Sequence, residues 1–193
     1  MTTPRILAFA GSTRSHSWNG KLIRIGSAAA RAAGAEVTLI ELRDFAMPLY
    51  DGDLEASAGL PEKARELRQL MVAHHGLLLS CPEYNSSISA VLKNAIDWVS
   101  RPQPNEPSGF AFKGRAAALL AASTGNLGGV RGLFTVRQVL TTLGVLMIPT
   151  QFALNQANNA FDETGALKDP KHQAAVDAVA QELVRVLSRL VVT

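Results

Sequence analysis

One cysteine in 193 residues, Cys81, leaves no partner for an internal disulfide and excludes a Cys-based metal cluster. No apolar run approaches the ~20 residues that a membrane-spanning helix needs, although hydrophobic residues make up 47% of the chain. Charged residues amount to only 18%, and the 19 Lys and Arg are scattered instead of forming a block, so the net charge of +3 does not describe a nucleic-acid surface. Such a mild positive balance does suit small anionic ligands, which it helps to steer. The four histidines, His16, His74, His75 and His172, are too dispersed for a metal set. Repeats and low-complexity tracts are missing, and the N-terminus carries neither an apolar signal segment nor an Arg/Ser-rich transit helix. The expectation is a soluble, cytoplasmic chain forming one domain over residues 1–193, with a full layered core and no nucleic-acid or membrane partner.

What is present is an alternation of two periodicities. Arg5 to Ala10, Val37 to Leu42, Gly76 to Ser80, Arg115 to Ala122 and Val145 to Ile148 are apolar runs of strand length, as expected of strands buried in a parallel sheet. Helical spacing separates them. Leu22, Gly26, Ala29 or Ala30, and Ala33 lead to a stop at Gly34; Pro61 opens the next helix at its first position, with Ala64, Leu67 and Leu70 or Met71 on one face. His74 and His75 close that helix, imidazoles toward its negative end. Further helices carry Leu92, Ile96 and Val99, then Val130 to Leu143, then Val176, Leu183 and Leu187 from about Lys171 onward. Asp97 and Arg101 are ordered for a helical ion pair. The long loop from Phe45 to Asp53 is too apolar at its start to be simply solvated. Five strands alternating with five helices predict a doubly wound α/β sandwich of three layers with a five-stranded parallel sheet in the order 2-1-3-4-5. Ligands of such sheets sit at the carboxyl edge, where the strand order reverses between strands 1 and 3.

Three unusual turns fall at that edge. After strand 1, Gly11 hands over to Ser12, Thr13, Arg14, Ser15 and Ser17 ahead of a helix, a phosphate cradle of hydroxyls, one cation and helix N-terminal N–H groups. It has neither the G-x-G-x-x-G of a pyrophosphate site nor the G-K-[ST] of a triphosphate site, so it suits a compact phosphate monoester such as the one that ends FMN. After strand 3, Pro82 stiffens the backbone, Tyr84 supplies an aromatic edge, and N–H groups from Glu83 to Asn85 can address a flat ring. After strand 4, Gly125, Gly128 and Gly129 allow close backbone approach, with Ser123 or Thr124 available to cap the next helix. Cys81 sits nearby, where a small apolar residue at a strand end explains it better than a redox role.

These residues carry a resemblance. Gly11-Ser-Thr-Arg with Ser17-Trp-Asn19, Pro82-Glu-Tyr-Asn-Ser-Ser with Leu92-Lys-Asn-Ala-Ile-Asp-Trp98, Ser123-Thr-Gly with Gly128-Gly129, and Leu49-Tyr50-Asp51-Gly52 resemble the NADPH-dependent FMN reductase family, the flavodoxin-like quinone and chromate reductases. The resemblance implies a flavodoxin-like fold, non-covalent FMN, and a homodimer or homotetramer with flavins near the subunit interface. By position it implies that Ser12, Thr13, Arg14, Ser17, Trp18 and Asn19 grip the phosphate and ribityl chain. Pro82, Glu83, Tyr84 and Asn85 would border the isoalloxazine, with Ser123 and Gly125 closing its far side, and Tyr50 would reach toward a neighbouring subunit's flavin and substrate. Trp18 departs from the smaller aromatics usual there. The implied activity is hydride transfer from NADPH or NADH to flavin N5, then ping-pong reduction of a quinone, flavin, chromate or similar small acceptor. It needs no catalytic side chain and no metal. The alternative is a flavodoxin-type electron carrier that does not oxidise NAD(P)H; such carriers tend to be strongly acidic, and this chain is basic.

Overall fold

Side chains alternate across the two faces of a strand, so a bare apolar run needs cover on both. In the computed structural model, which describes residues 2–107 and 109–190, helices supply that cover. In chain order the elements are β1 (Arg5–Ala10), α1 (Trp18–Ala32), β2 (Glu36–Glu41), a 3-10 turn (Leu42–Phe45), α2 (Gly52–Ala58), α3 (Glu62–Ala73), β3 (Gly76–Ser80), β4 (Glu83–Tyr84), β5 (Ser87–Ile88), α4 (Ala90–Val99), β6 (Ala116–Ala122), α5 (Val130–Thr142), β7 (Leu146–Leu154), α6 (Ala157–Ala160) and α7 (Pro170–Leu190). The main sheet is parallel, ordered β2-β1-β3-β6-β7, and β4 and β5 form a separate two-stranded hairpin. This is the expected 2-1-3-4-5 order, with the fourth and fifth predicted strands now β6 and β7.

Ile6, Ala8, Leu78, Ala118 and Leu120 face α1 and α7, meeting Leu22, Ile23, Val176 and Leu183. Leu7, Phe9, Leu79, Ala117 and Leu119 face the other way, against Leu67, Leu92, Leu133 and Leu140 of α3, α4 and α5. Each buried Leu, Ile or Val contributes on the order of 1.5–3 kcal/mol, whereas the exposed pair Lys63–Glu66 contributes at most about 1 kcal/mol. Burial therefore sets the fold, and the surface pairs trim it.

Several local expectations change. Pro61 stands one residue before α3, as its N-cap. Only His74 meets the helix end, donating from Nδ1 to Leu70 O at 2.6 Å; His75 Nδ1 accepts the Arg5 N–H at 3.1 Å at the start of β1. The Asp97 carboxylate pairs with Lys93 at 2.8 Å, while Arg101 Nε donates to the Asp97 main-chain oxygen. Lys93 reaches the carboxylate from the preceding turn, which leaves Arg101 to swing over the Tyr50 ring at 5.1 Å. The fifth strand runs to Leu154 instead of stopping at Ile148. It passes Pro149 because β7 is an edge strand and its register shifts between Ala117 and Leu119 of β6, where a missing N–H breaks no ladder bond. No helix among the described residues is long and apolar enough to cross a membrane.

Candidate functional site

The three turns meet at the carboxyl edge because main-chain and side-chain bonds join them directly. Gly11 N donates to Ser80 O at 2.9 Å, and Gly11 O accepts from Ser89 Oγ at 2.7 Å. A Cβ at Gly11 would lie 2.8 Å from Leu92 Cδ2, so only glycine lets the first turn leave β1 against α4. Beyond it the loop turns outward. Ser12 Oγ accepts the Arg14 N–H at 3.3 Å, and Ser17 caps α1 by accepting from Gly20 N at 3.2 Å. Thr13, the Arg14 guanidinium and Ser15 make no hydrogen bond among the described residues, and all three are exposed.

Asn19 does not face the loop. It is 3% exposed, and its amide staples two strand ends: Nδ2 donates to Ala122 O at 2.9 Å, while Oδ1 accepts from Ala122 N at 3.0 Å and from Ser80 Oγ at 2.9 Å. Trp18 stacks on Phe161 with ring centroids 5.8 Å apart, and Lys21 Nζ lies 5.0 Å over its ring. These two implied phosphate ligands thus have protein partners of their own.

The second turn is braced to the third. The backbone leaves β3 at Cys81, which is fully buried with its thiol pushed up to about 12 by burial, so no thiolate forms near neutral pH. Glu83 then pairs with Arg131 through Nε at 2.9 Å and through Nη2, and its other oxygen accepts Gly132 N at 3.0 Å. Burial pushes the Glu83 carboxyl up, but Arg131 and the α5 N–H groups outweigh it, and the group sits below its ordinary range. The hairpin turns at Asn85 and Ser86, both with positive φ, and presents Tyr84 half-exposed at 52%.

In the third turn, Ser123 Oγ accepts Gly125 N at 3.2 Å, so the hydroxyl closes its own turn; the α5 N-cap is Gly129, without a side-chain cap. Glu83 supplies the missing acceptor from a residue 49 positions away. Gly128 has φ +63°, and a Cβ there would lie 2.7 Å from Ala153 O. The turn therefore lies flat against β7 and shows backbone at its surface.

Tyr50 is fixed elsewhere. Its N–H donates to Asn94 Oδ1 at 2.8 Å, its hydroxyl to Glu55 at 2.8 Å, and its ring meets Trp98 edge-on at 5.0 Å. Asn94 Nδ2 and Trp98 Nε1 both donate to Pro48 O, at 2.9 and 2.8 Å. A groove lined by Thr13, Phe45, Met47, Val91 and Asn94 runs between this loop and the phosphate cradle.

Sequence reasoning gave no role to Arg131 or Ser80, and none to Asn94 or Trp98 beyond their place in the Leu92–Trp98 stretch. One signal was readable: an arginine in the first turn of a helix opposes the helix dipole and calls for an acid to meet it. Trp98 likewise is fully buried and its indole N–H needs an acceptor. Among the described residues no group of three or more His, Cys, Asp or Glu is placed to hold a metal ion.

The site's chemistry fits FMN: exposed hydroxyls and a cation without a protein partner at a helix N-terminus for the phosphate, and two glycine- and backbone-faced turns for a flat ring. Comparison with known proteins agrees. Residues 4–159 match the NADPH-dependent FMN reductase family. The chain is 38% identical over 191 residues to the NAD(P)H-dependent FMN reductase of Pseudomonas aeruginosa, covering 96% of each. It is 31% identical to the quinone reductase of Escherichia coli over 181 residues, 93% of this chain and 91% of that one. Among solved structures, the flavoenzyme NAD(P)H:(acceptor) oxidoreductase FerB of Paracoccus denitrificans superposes with a TM-score of 0.81 at 26% identity, covering 97% and 98% of the two chains. The match over residues 4–159 and the likeness to these enzymes along nearly the whole chain lead to one assignment: the chain belongs to the NADPH-dependent FMN reductase family.

Proposed function

We propose that residues 1–193 form one FMN-binding domain acting in the cytoplasm as an NAD(P)H oxidoreductase on a small acceptor such as a quinone, a flavin or chromate. The observation that carries this reading is the convergence of three turns, after β1, β3 and β6, on one sheet edge. Bound FMN supplies the hydride-accepting centre and with it a ping-pong exchange of two electrons between NAD(P)H and the acceptor.

The protein's part is position and electrostatics. Ser12, Thr13, Arg14 and Ser17 hold the phosphate by charge and hydroxyls. Asn19 holds the strand ends from which the cradle and the ring site spring. Main-chain N–H groups of Glu83 to Asn85 are the ring's neighbours on one side, with Tyr84 at their edge and Pro82 limiting their freedom, and Ser123 and Gly125 stand on the other. No side chain is needed as acid, base or nucleophile. Leu49, 78% exposed beside the clamped Tyr50, supports a homodimer or homotetramer in which the Tyr50 loop reaches a neighbouring copy's flavin and substrate.

An absorption spectrum before and after anaerobic addition of NADPH tests the reading. Flavin bands that bleach within seconds are the expected result. Bound flavin that stays oxidised with both NADPH and NADH would overturn it in favour of an electron carrier. Sedimentation at two protein concentrations tests the oligomer, and a monomer at both would remove the role given to Tyr50.

A further inference from the structure

The edge strand β7 ends in a fourth turn at the same side of the sheet. There the chain reads Asn155-Gln156-Ala157-Asn158-Asn159, and its four amide side chains are exposed and make no hydrogen bond among the described residues. This turn is bonded to the third one directly. Ser123 N donates to Leu154 O at 3.0 Å, Ala157 N to Ser123 O at 3.0 Å, and Gln156 N to Gly125 O at 3.4 Å. Gln156 stands at φ 45° and ψ 42°, in the left-handed region, and its side chain makes no cap bond to α6. Glycine and asparagine adopt that conformation most readily, whereas glutamine does so at a cost. Such strain persists only where the surroundings enforce it, and it gathers at functional sites. Here the surroundings do enforce it: Ala157 is buried and held by Ser123, and buried Phe161 is held by its stack on Trp18.

The third turn has engaged its own acceptors. Gly125 O takes the N–H groups of Gly128, at 3.2 Å, and of Gln156, while Ser123 O takes that of Ala157 and Ser123 Oγ that of Gly125. Across the site, one Glu83 oxygen meets Arg131 and the other meets Gly132 N. The pyrimidine edge of a flavin presents C=O, N–H and C=O in a row, so it asks for an acceptor and a donor side by side. A primary amide supplies both; a main-chain N–H supplies only the donor. We infer that the Gln156 carboxamide is a ligand of the flavin ring, its oxygen accepting from the ring N3–H and its NH2 donating to an adjacent ring carbonyl. This rests on the FMN reading of the site. It makes the loop after β7 a fourth wall, one that reads the edge of the ring where the other turns meet its faces.

Fluorescence titration of the FMN-free protein with riboflavin and with N3-methylriboflavin is the direct test, because methylation removes the ring N–H that the amide accepts from. Wild-type protein should prefer riboflavin roughly threefold to tenfold. In Gln156→Gly the preference should vanish while the affinity for N3-methylriboflavin stays unchanged. The Tm of the FMN-free variant should stay within about 3 °C of wild type, since glycine relaxes the left-handed turn as it loosens the unfolded chain. Equal affinities in wild type would overturn the assignment. So would an equal loss of both ligands in Gln156→Gly, which would make the residue a scaffold for the third turn. A variant that keeps the preference and raises KM for NADPH alone would give the amide to the reductant, and the proposal falls. Wild-type protein that binds no flavin would sink the FMN reading itself, whereas bound FMN that NADPH bleaches, in a protein without the preference, removes only the role of Gln156.

Discussion

The two sides of the site follow opposite plans. In the loop after β1, Thr13, Arg14 and Ser15 keep their polar groups out of the fold, and only Ser12 and Ser17 accept bonds from within the loop and helix. Across the edge, Glu83, Arg131 and Ser123 turn their polar groups inward to brace the two later turns, leaving main chain at the surface. The difference matches the two ends of the proposed ligand. A charged ester is bound best by mobile side chains that carry charge and hydroxyls. A rigid ring is met best by N–H groups whose positions are already fixed.

The change expected to have the largest effect removes what both sides share. Asn19→Leu leaves the Ala122 N–H and C=O and the Ser80 hydroxyl without partners in a buried place. It should cost about 2–5 kcal/mol, lowering Tm by roughly 5–15 °C in scanning calorimetry of FMN-free protein. An unchanged Tm would show that the staple is dispensable.

Arg14→Ala sharpens the contrast. It should weaken FMN roughly tenfold to a hundredfold while sparing riboflavin and the Tm of the FMN-free protein, because the guanidinium touches nothing internal. Equal loss for FMN and riboflavin would place Arg14 outside the phosphate site. Glu83→Gln should do the reverse and loosen FMN and riboflavin alike, by a few-fold. The wild-type carboxyl is held below its ordinary range, so its brace is complete above the unfolded carboxyl pKa of about 4.3 and is lost as pH falls through the lowered folded value. Flavin release on acidification, followed by fluorescence, should carry that step in wild type and lack it in Glu83→Gln.

The smallest effect is expected at Cys81→Ser. Burying a hydroxyl there should cost about 1–2 kcal/mol, and turnover with NADPH should stay within about twofold. Near-complete loss of turnover would give the thiol a role that its burial argues against.

The central strands were legible because burial on both faces writes itself as an unbroken apolar run, as in Leu77 to Leu79. Strand order followed from right-handed crossovers in a doubly wound sheet, and the polar turn after β1 from its run of hydroxyls. The short elements were not legible. α2 rests on an Asp51 cap, and the β4–β5 hairpin rests on two positive-φ residues that could equally have begun a helix. The division of labour within the site was hidden for a different reason. Asn19 bonds to a residue 103 positions away and Glu83 to one 49 away, and nothing local distinguishes a polar side chain that faces a ligand from one that faces another turn. The Asp97 to Arg101 pairing failed because two cations at helical spacing competed for one carboxylate.

The brace at Glu83 has an evolutionary consequence. The side chain of Tyr84, at the tip of the same hairpin, makes no hydrogen bond among the described residues and stands half in solvent. The hairpin's shape is inherited through Glu83 and Arg131, so position 84 is open to drift without loss of the fold. A substitution there changes what the tip of the hairpin presents and leaves the bonds that shape it untouched.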